Sequence, residues 1–129
     1  MHEKRKYLRF PIHLDAHLQS AVQAQHRRCS VADICRNGVR LCLQGIDMNV
    51  GNRQDIVINV PDGGEPVYCS IEILWVTSSY DGGTKKYICG GRFATINNED
   101  RWRLLDIAFD SWKQRMFPTI TAPIVFSSG

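Results

Sequence analysis

Residues 28–43 read RCSVADICRNGVRLCL, and this stretch decides the fold. Its centre, Arg-Asn-Gly at residues 36–38, is polar and ends in glycine, so we predict a turn from Asp33 to Gly38. Residues 28–34 before the turn read as a strand, and apolar side chains alternate again over residues 39–43. The stretch therefore predicts two neighbouring strands joined by a short turn.

The strand pattern continues on both sides of this turn. Residues 11–19 alternate Ile, Leu, Ala and Leu with His, Asp, His and Gln, which is the period of a half-buried strand. Turn signals at residues 61–64 (Pro-Asp-Gly-Gly) and 81–83 (Asp-Gly-Gly) separate three further predicted strands, at residues 55–60, 67–77 and 85–95. Many short strands at near-regular spacing favour an antiparallel barrel or sandwich.

The hydrophobic period changes near the end of the chain. Apolar residues there are spaced three and four apart: Trp102, Leu105, Phe109, Trp112 and Met116. Asn97 or Asn98 can cap a helix at its start, and Pro118 stops it. We predict one amphipathic helix of about five turns. Its aromatic stripe is expected to pack on the strands or against a partner rather than to hold a cofactor.

The composition indicates one soluble domain. A chain of 129 residues, 43% of them hydrophobic, can bury a core without disulfides or metal. No apolar run is long enough to span a membrane, and the charged N-terminus leads into no apolar segment of the kind that secretory signals contain. The cysteine count of five is odd and includes no CxxC pair, which favours free thiols in a reducing compartment. We therefore expect a cytoplasmic protein.

The positive charge is concentrated at the N-terminus. Four of the 16 Lys and Arg residues, and one of the 13 Asp and Glu residues, lie within residues 1–9, so that segment accounts for the whole net charge of +3. A basic arm on a neutral body suggests an anionic partner, most simply one that carries phosphate. A solvated tail that only aids solubility explains the charge equally well.

Other kinds of site have weaker support. His13, Asp15 and His17 share a face of one predicted strand and could bind a metal, but a polar outer face explains them better. There is no GxSxG or P-loop motif, so we predict no enzyme. Single-stranded nucleic acid would fit the basic arm, yet the neutral body with its scattered aromatics argues against it.

Two motifs gain meaning from their order. Arg5-Lys6-Tyr7-Leu8-Arg9 has the pattern RxxxR, and residues 33–38 have the pattern DxCxxG. An RxxxR segment before the first strand, followed by (D/N)xSxxG on a turn between early strands, resembles the PilZ domain family. Residues 71–75 (Ile-Glu-Ile-Leu-Trp) and 90–93 (Gly-Gly-Arg-Phe) resemble two later strands of that family. The resemblance runs from about residue 4 to about residue 117.

The resemblance implies a mainly β fold, a six-stranded antiparallel PilZ-type β-barrel with one C-terminal α-helix. It also implies the ligand cyclic di-GMP. Arginine suits this ligand because its planar fork bonds phosphate and the O6/N7 edge of guanine, while a carboxylate can accept from the opposite guanine edge. The implied ligand residues are Arg5, Arg9, Asp33, Cys35 and Gly38, with Lys4, Arg36, Arg40 and Trp75 as further candidates.

Three of these residues carry specific expectations. Gly38 is expected to allow a positive φ and close approach of the ligand. Trp75 either stacks on a guanine or lies in the core, and the core is the favoured prediction. Cys35 stands where the family has serine, and a thiol is the poorer hydrogen-bonding group, so the exchange is expected to cost about 1 kcal/mol of binding free energy.

The predicted organisation is a basic arm at residues 1–10, a barrel with its helix at residues 11–117, and an unassigned tail at residues 118–129. Ligand binding is expected to fold the arm across the barrel and so signal to an effector protein. The aromatic face of the helix would contact that effector or a second copy of the chain. The main alternative is a PilZ-like interaction module that binds no nucleotide. A domain cut from a larger enzyme, such as a polysaccharide synthase, is the remaining alternative.

Overall fold

The computed structural model describes residues 9–19, 27–45 and 48–117. Within these ranges the chain forms six strands and then a helix. They are β1 (Phe10–Gln19), β2 (Arg27–Cys35), β3 (Gly38–Gln44), β4 (Arg53–Ile58), β5 (Val67–Asp81), β6 (Thr84–Ile96) and α1 (Asn98–Met116). The predicted strands and helix are therefore all present in the predicted order.

The strands close into a barrel in the order β1-β2-β3-β6-β5-β4, with every neighbouring pair antiparallel. Pairing of β1 with β4, from Ala16 opposite Ile58 to Gln19 opposite Asp55, closes the circle. Closure satisfies the backbone groups that an open sheet leaves at its edges. The mainly β prediction, with one C-terminal helix, is confirmed.

Alternation along the strands builds the core. Leu14, Ala16 and Leu18 of β1 are buried, as the period-two pattern predicts, and the intervening side chains face outward. Inward side chains from every strand fill the barrel, and the fully buried ones include Val31, Ile34, Leu41, Ile56, Ile58, Val67, Ile71 and Ile73. The core needs no disulfide: all five cysteines are free.

Several strand bounds differ from the predicted ones. The turn after β2 contains only Arg36 and Asn37, because strand pairing continues to Cys35 opposite Gly38. β4 covers residues 53–58 rather than 55–60, since Arg53 and Gln54 pair with β5. β5 and β6 extend to a tight hairpin at residues 82–83, where both glycines have positive φ.

The helix begins where the sequence predicts. The side chain of Asn97 caps it by accepting a hydrogen bond of 2.8 Å from the backbone N–H of Glu99. The helix residues that enter the core are Leu104 and Ala108, which lie outside the predicted stripe, whereas Phe109 and Trp112 of the stripe pack on Phe10 of β1. Small Ala108 lets the helix lie close against the barrel, and the larger aromatic residues lie at the margin of this contact, where Trp102 and Phe109 stay exposed.

Two predicted segments lie largely outside the described residues: the arm, apart from Arg9 and Phe10, and the tail at residues 118–129. In the described part of the chain, no helix has the length and apolar character needed to cross a membrane.

Candidate functional site

The candidate site lies on the outer face of the barrel, where residues from four strands meet in two rows. In the first row the backbone register places Asp33 opposite Arg40, Arg40 opposite Gly90, and Gly90 opposite Trp75. In the second, two residues along each of β2, β3 and β6, the order is Cys35, Gly38, Arg92 and Glu72. Residues two apart on a strand share a face, so both rows line one surface.

Two β-bulges aim the end residues of the first row outward. The pairing register shifts between Val31 and Asp33 in β2, and between Ile73 and Trp75 in β5. In a regular strand, Asp33 would point inward like fully buried Val31, which lies two residues before it. Trp75 would likewise point inward like buried Ile73. Each extra residue reverses the alternation, which is a recognised use of bulges beside functional sites. The favoured prediction of a core position for Trp75 is wrong for this reason.

Glycines form the floor between the rows. A Cβ on Gly90 would lie 2.1 Å from Nε1 of Trp75, so the indole lies across the space that a side chain at this position would fill. A Cβ on Gly38 would lie 2.1 Å from the carbonyl oxygen of Gly91. Gly38 does not have the positive φ predicted for it. Glycine is required there because β3 and β6 approach closely.

The result is a cleft of about 280 Å³. Its lining residues are Arg9, Asp33, Cys35, Asn37, Gly38, Val39, Arg40, Leu74, Trp75, Gly90, Gly91 and Arg92. Apolar walls with a few convergent polar groups are typical of small-molecule sites, and this volume lies just below their usual range of roughly 300–1,000 Å³.

Two arginine–carboxylate pairs flank the cleft. Nε of Arg40 lies 2.9 Å from Oδ2 of Asp33, and Asp33 is the charged residue that is buried in the described part of the chain. Nη2 of Arg92 donates a hydrogen bond to Oε1 of Glu72. Arg40 and Asp33 thus form an ion pair at the cleft wall, although Nε of Arg40 makes no hydrogen bond.

The structure brings together six of the nine predicted site residues: Arg9, Asp33, Cys35, Gly38, Arg40 and Trp75. Lys4 and Arg5 lie outside the described residues. Arg36 does not line the cleft, because its guanidinium carbon lies 5.9 Å from the centroid of the Trp102 ring on α1.

The cleft also contains residues that were not predicted as site residues: Asn37, Val39, Leu74, Gly90, Gly91 and Arg92. One sequence signal could have found part of this set. Adjacent glycines inside a strand pattern, as at residues 90–91, often mark a place where a ligand or another backbone approaches closely. No sequence pattern reveals that Leu74 shares the outer face with Trp75, since this depends on the bulge.

Helix α1 contacts the start of β1, next to Arg9, and the turn after β2. Next to Arg9, the ring of Phe10 packs edge-on against Phe109 at 5.8 Å and Trp112 at 6.0 Å between centroids. Arg115 donates a hydrogen bond of 2.6 Å to the carbonyl of Pro11. Both contacts tie the start of β1 to the helix.

The turn after β2 is bonded to both α1 and β6. Nη1 of Arg101 on α1 donates to the carbonyl oxygen of Arg36 at 3.2 Å, and the backbone N–H of Phe93 on β6 donates to the carbonyl oxygen of Asn37 at 2.8 Å. The Arg101 guanidinium also lies over the Phe93 ring, 5.8 Å from its centroid. The helix therefore contacts the second motif as well as the start of β1.

The other candidate chemistry finds little support. His13 lies 3.6 Å from Asp15, but residues 9–19, 27–45 and 48–117 contain no group of three or more His, Cys, Asp or Glu side chains arranged to hold a metal ion. Burial raises the pKa of the Cys29 and Cys69 thiols to about 12 and that of Cys89 to about 11. These three thiols are therefore poor nucleophiles at neutral pH.

Several solved structures share this fold. The PilZ domain of YcgR from Escherichia coli, solved with c-di-GMP, is 16% identical, has a TM-score of 0.70, and matches over 92% of this chain and 98% of its own. The K. pneumonia MrkH–c-di-GMP complex is 13% identical with a TM-score of 0.72, and matches over 88% of this chain and 55% of its own. The Bacillus subtilis inhibitor of motility, MotI/DgrA, is 17% identical with a TM-score of 0.67, and matches over 84% of this chain and 51% of its own.

At these identities the likeness is one of fold, and the chain spans about half the length of the motility inhibitor and of MrkH. A search of curated protein sequences finds no match. The family model of the PilZ domain, however, matches residues 3–110. Since that match covers most of the 129 residues and agrees with the barrel, its strand order and the C-terminal helix, the chain belongs to the PilZ domain family.

Proposed function

We propose that this chain is a cytoplasmic receptor for cyclic di-GMP, that it catalyses no reaction, and that it signals to a partner protein through α1. The observation that carries the proposal is the cleft, which places Arg9, Asp33, Arg40 and Trp75 around a glycine floor. Cyclic di-GMP complexes of YcgR and MrkH, which have the same fold, support the choice of ligand.

Each side chain has a role that suits a guanine nucleotide. The Asp33 carboxylate accepts from N1–H and the exocyclic amine of one guanine, and Arg40 is the ion-pair partner of that carboxylate. Trp75 offers an aromatic face for base stacking, which contributes roughly 1–3 kcal/mol in other proteins. Arg9 lines the cleft beside these groups and bonds phosphate or the guanine O6/N7 edge.

The small cleft leaves part of the ligand uncovered, and the arm completes the site. Arg5 and Lys4 precede Arg9 in the sequence and bring additional positive charge toward the two phosphates. Gly38 keeps the floor open, and Cys35 contacts the ligand where the family has a serine hydroxyl. The thiol makes the weaker hydrogen bond, so binding is expected to be weakened by about 1 kcal/mol and retained.

The signal leaves the site through the helix. When the ligand draws Arg9 over the cleft, Phe10 moves with it, and Phe10 packs on Phe109 and Trp112. An effector protein that contacts the exposed side of α1 would sense this change, and a second copy of the chain is the other candidate partner. Control of motility, biofilm formation or exopolysaccharide production is the process that PilZ membership suggests.

A titration of the purified protein with cyclic di-GMP by calorimetry tests the proposal, with GTP and cyclic di-AMP as controls. We expect saturable binding to cyclic di-GMP alone. Arg9→Ala removes charge-assisted hydrogen bonds worth about 1.5–3 kcal/mol, so its affinity should fall roughly 10- to 150-fold with an unchanged thermal melt. Arg28→Ala is the matched control, because Arg28 is exposed near the start of β2 and does not line the cleft.

The second candidate function is a PilZ-like interaction module that binds no nucleotide. Two observations favour it. Cys35 replaces the motif serine, and an apolar surface is exposed along the helix and at its C-terminal cap: Trp102, Phe109, Met116 and Phe117. Absence of heat, and of any melting shift at a large excess of cyclic di-GMP, would refute the receptor proposal and favour this one.

A further inference from the structure

The second row of the cleft contains a charged pair to which the proposed function gives no role. Arg92 of β6 lines the cleft, and its Nη2 donates to Oε1 of Glu72 on β5. Gly38 is its register partner on the other side, so no side chain lies between Arg92 and Cys35 in this row. The guanidinium therefore has a carboxylate on one side and the open cleft on the other.

The two rows share a carboxylate, an arginine and a glycine, in opposite order. From β2 to β5, the first row runs carboxylate, arginine, glycine, aromatic, and the second runs thiol, glycine, arginine, carboxylate. Each arginine contacts the carboxylate at the end of its own row, and the two glycines lie diagonally across from each other. The cleft thus presents two arginine–carboxylate pairs from opposite sides.

This arrangement matches a ligand that has two equivalent bases. We propose that Arg92 is a further ligand-binding residue that reads the O6/N7 edge of the second guanine of cyclic di-GMP, and that Glu72 is the residue that positions it. The inference rests on the proposed function, since it assigns a second base to the same site. The Trp75 ring lies over Gly90, and Arg92 is two residues further along β6. The Arg92 fork therefore lies beside the ring and reaches the edge of a base rather than its face.

Arginine is suited to this role by its geometry as well as its charge. The planar fork gives two parallel hydrogen bonds to guanine O6 and N7, whereas lysine gives a single point charge. Adenine has an amine in place of O6, so it cannot accept both bonds. Contact with Glu72 holds the fork in one orientation before the ligand arrives.

The experiment is calorimetric titration of four proteins with cyclic di-GMP and with cyclic GMP–AMP: wild type, Arg92→Ala, Arg92→Lys and Arg28→Ala. Both Arg92 variants should bind cyclic di-GMP at least tenfold more weakly than wild type. Their affinity for cyclic GMP–AMP should change less than threefold, because its single guanine can occupy the Asp33 side of the cleft. Arg28→Ala is the control of equal charge: Arg28 is exposed near the start of β2, does not line the cleft, and should change neither affinity.

The role of Glu72 is tested by a double-mutant cycle. Glu72→Gln should weaken cyclic di-GMP binding in wild type and have no further effect in Arg92→Ala, because it acts only through Arg92. Equal losses in both backgrounds would mean that Glu72 is merely structural and would overturn its positioning role.

The outcomes separate this inference from the proposed function. Wild-type affinity in Arg92→Ala overturns the inference and leaves the receptor intact. Near wild-type affinity in Arg92→Lys, or equal losses for the two dinucleotides in Arg92→Ala, would assign Arg92 to phosphate and overturn base reading. If wild type itself fails to bind cyclic di-GMP, the proposed function fails and the inference fails with it.

Discussion

Replacing Gly38 with alanine tests the floor of the cleft. The new Cβ would lie 2.1 Å from the carbonyl oxygen of Gly91 and 3.2 Å from Cα of Arg92. Real Cβ atoms essentially never approach within 3.0 Å, so β3 and β6 would have to separate locally by about 0.9 Å. Both atoms belong to the backbone, and no side-chain rotation can relieve the overlap.

The expected loss of stability combines two opposing effects. Overpacking of this kind costs roughly 1–3 kcal/mol. Alanine also restricts the unfolded chain, which stabilises the fold by about 0.4–1 kcal/mol. The net loss is then about 1–2 kcal/mol, and with a urea dependence of roughly 2 kcal/mol per M the unfolding midpoint should fall by about 0.5–1 M.

Urea denaturation followed by tryptophan fluorescence measures this change, and Gly90→Ala is the comparison. Its Cβ would meet the indole of Trp75, a side chain that can rotate away. The midpoint of Gly90→Ala should therefore fall less than that of Gly38→Ala, while its binding of cyclic di-GMP weakens as the stacking surface is displaced. An unchanged midpoint in Gly38→Ala, or equal losses in the two variants, would refute the close approach of β3 and β6.

Three further predictions concern the scaffold. Leu104→Ala should lower the free energy of unfolding by about 2–5 kcal/mol, and clearly more than Phe109→Ala, because Leu104 is fully buried and Phe109 is 42% exposed; similar losses in denaturation would contradict the assigned helix face. Mass spectrometry after brief treatment with a soluble thiol reagent at neutral pH should find the half-buried Cys29 and the buried Cys69 and Cys89 modified in the unfolded chain and unmodified in the folded one. Hydrogen bonds from Arg103 lower the pKa of Asp62 below its usual 3.8. The ionised pair therefore stabilises the fold fully above pH 3.8, and this stabilisation is lost as the pH falls through the lowered pKa. Asp62→Asn should thus be less stable than wild type at neutral pH and similar in acid, and a difference independent of pH would exclude this role.

Local patterns were sufficient to predict the elements. Alternation at Leu14, Ala16 and Leu18 identified β1 and its buried face, because the signal lies within one strand. The cap at Asn97 fixed the start of the helix for the same reason. The buried face of the helix was harder to predict, since the choice between Leu104 and the aromatic stripe depends on which side packs on the barrel.

The candidate site was predicted only in part, because its geometry depends on pairing between strands. Two bulges turn Asp33 and Trp75 outward, and a period-two reading of the sequence cannot reveal them. The register that places Gly38 opposite Arg92 likewise comes from the closure of the whole sheet. The motif residues could be identified from the sequence, whereas the second arginine–carboxylate pair required the fold.

The cleft also illustrates how a candidate ligand site can form on a convex surface. The outside of a small barrel has no natural hollow, so a depression arises where side chains are absent and the surrounding ones are large. Gly38 and Gly90 are the positions without side chains, and the large residues Trp75, Arg40 and Arg92 form the rim. Because each strand contributes only one or two of these residues, any change in strand register would separate the rim from the floor. Stability of the barrel and geometry of the site are therefore linked, and variants that loosen β3 from β6 should weaken ligand binding even where they leave every rim residue in place.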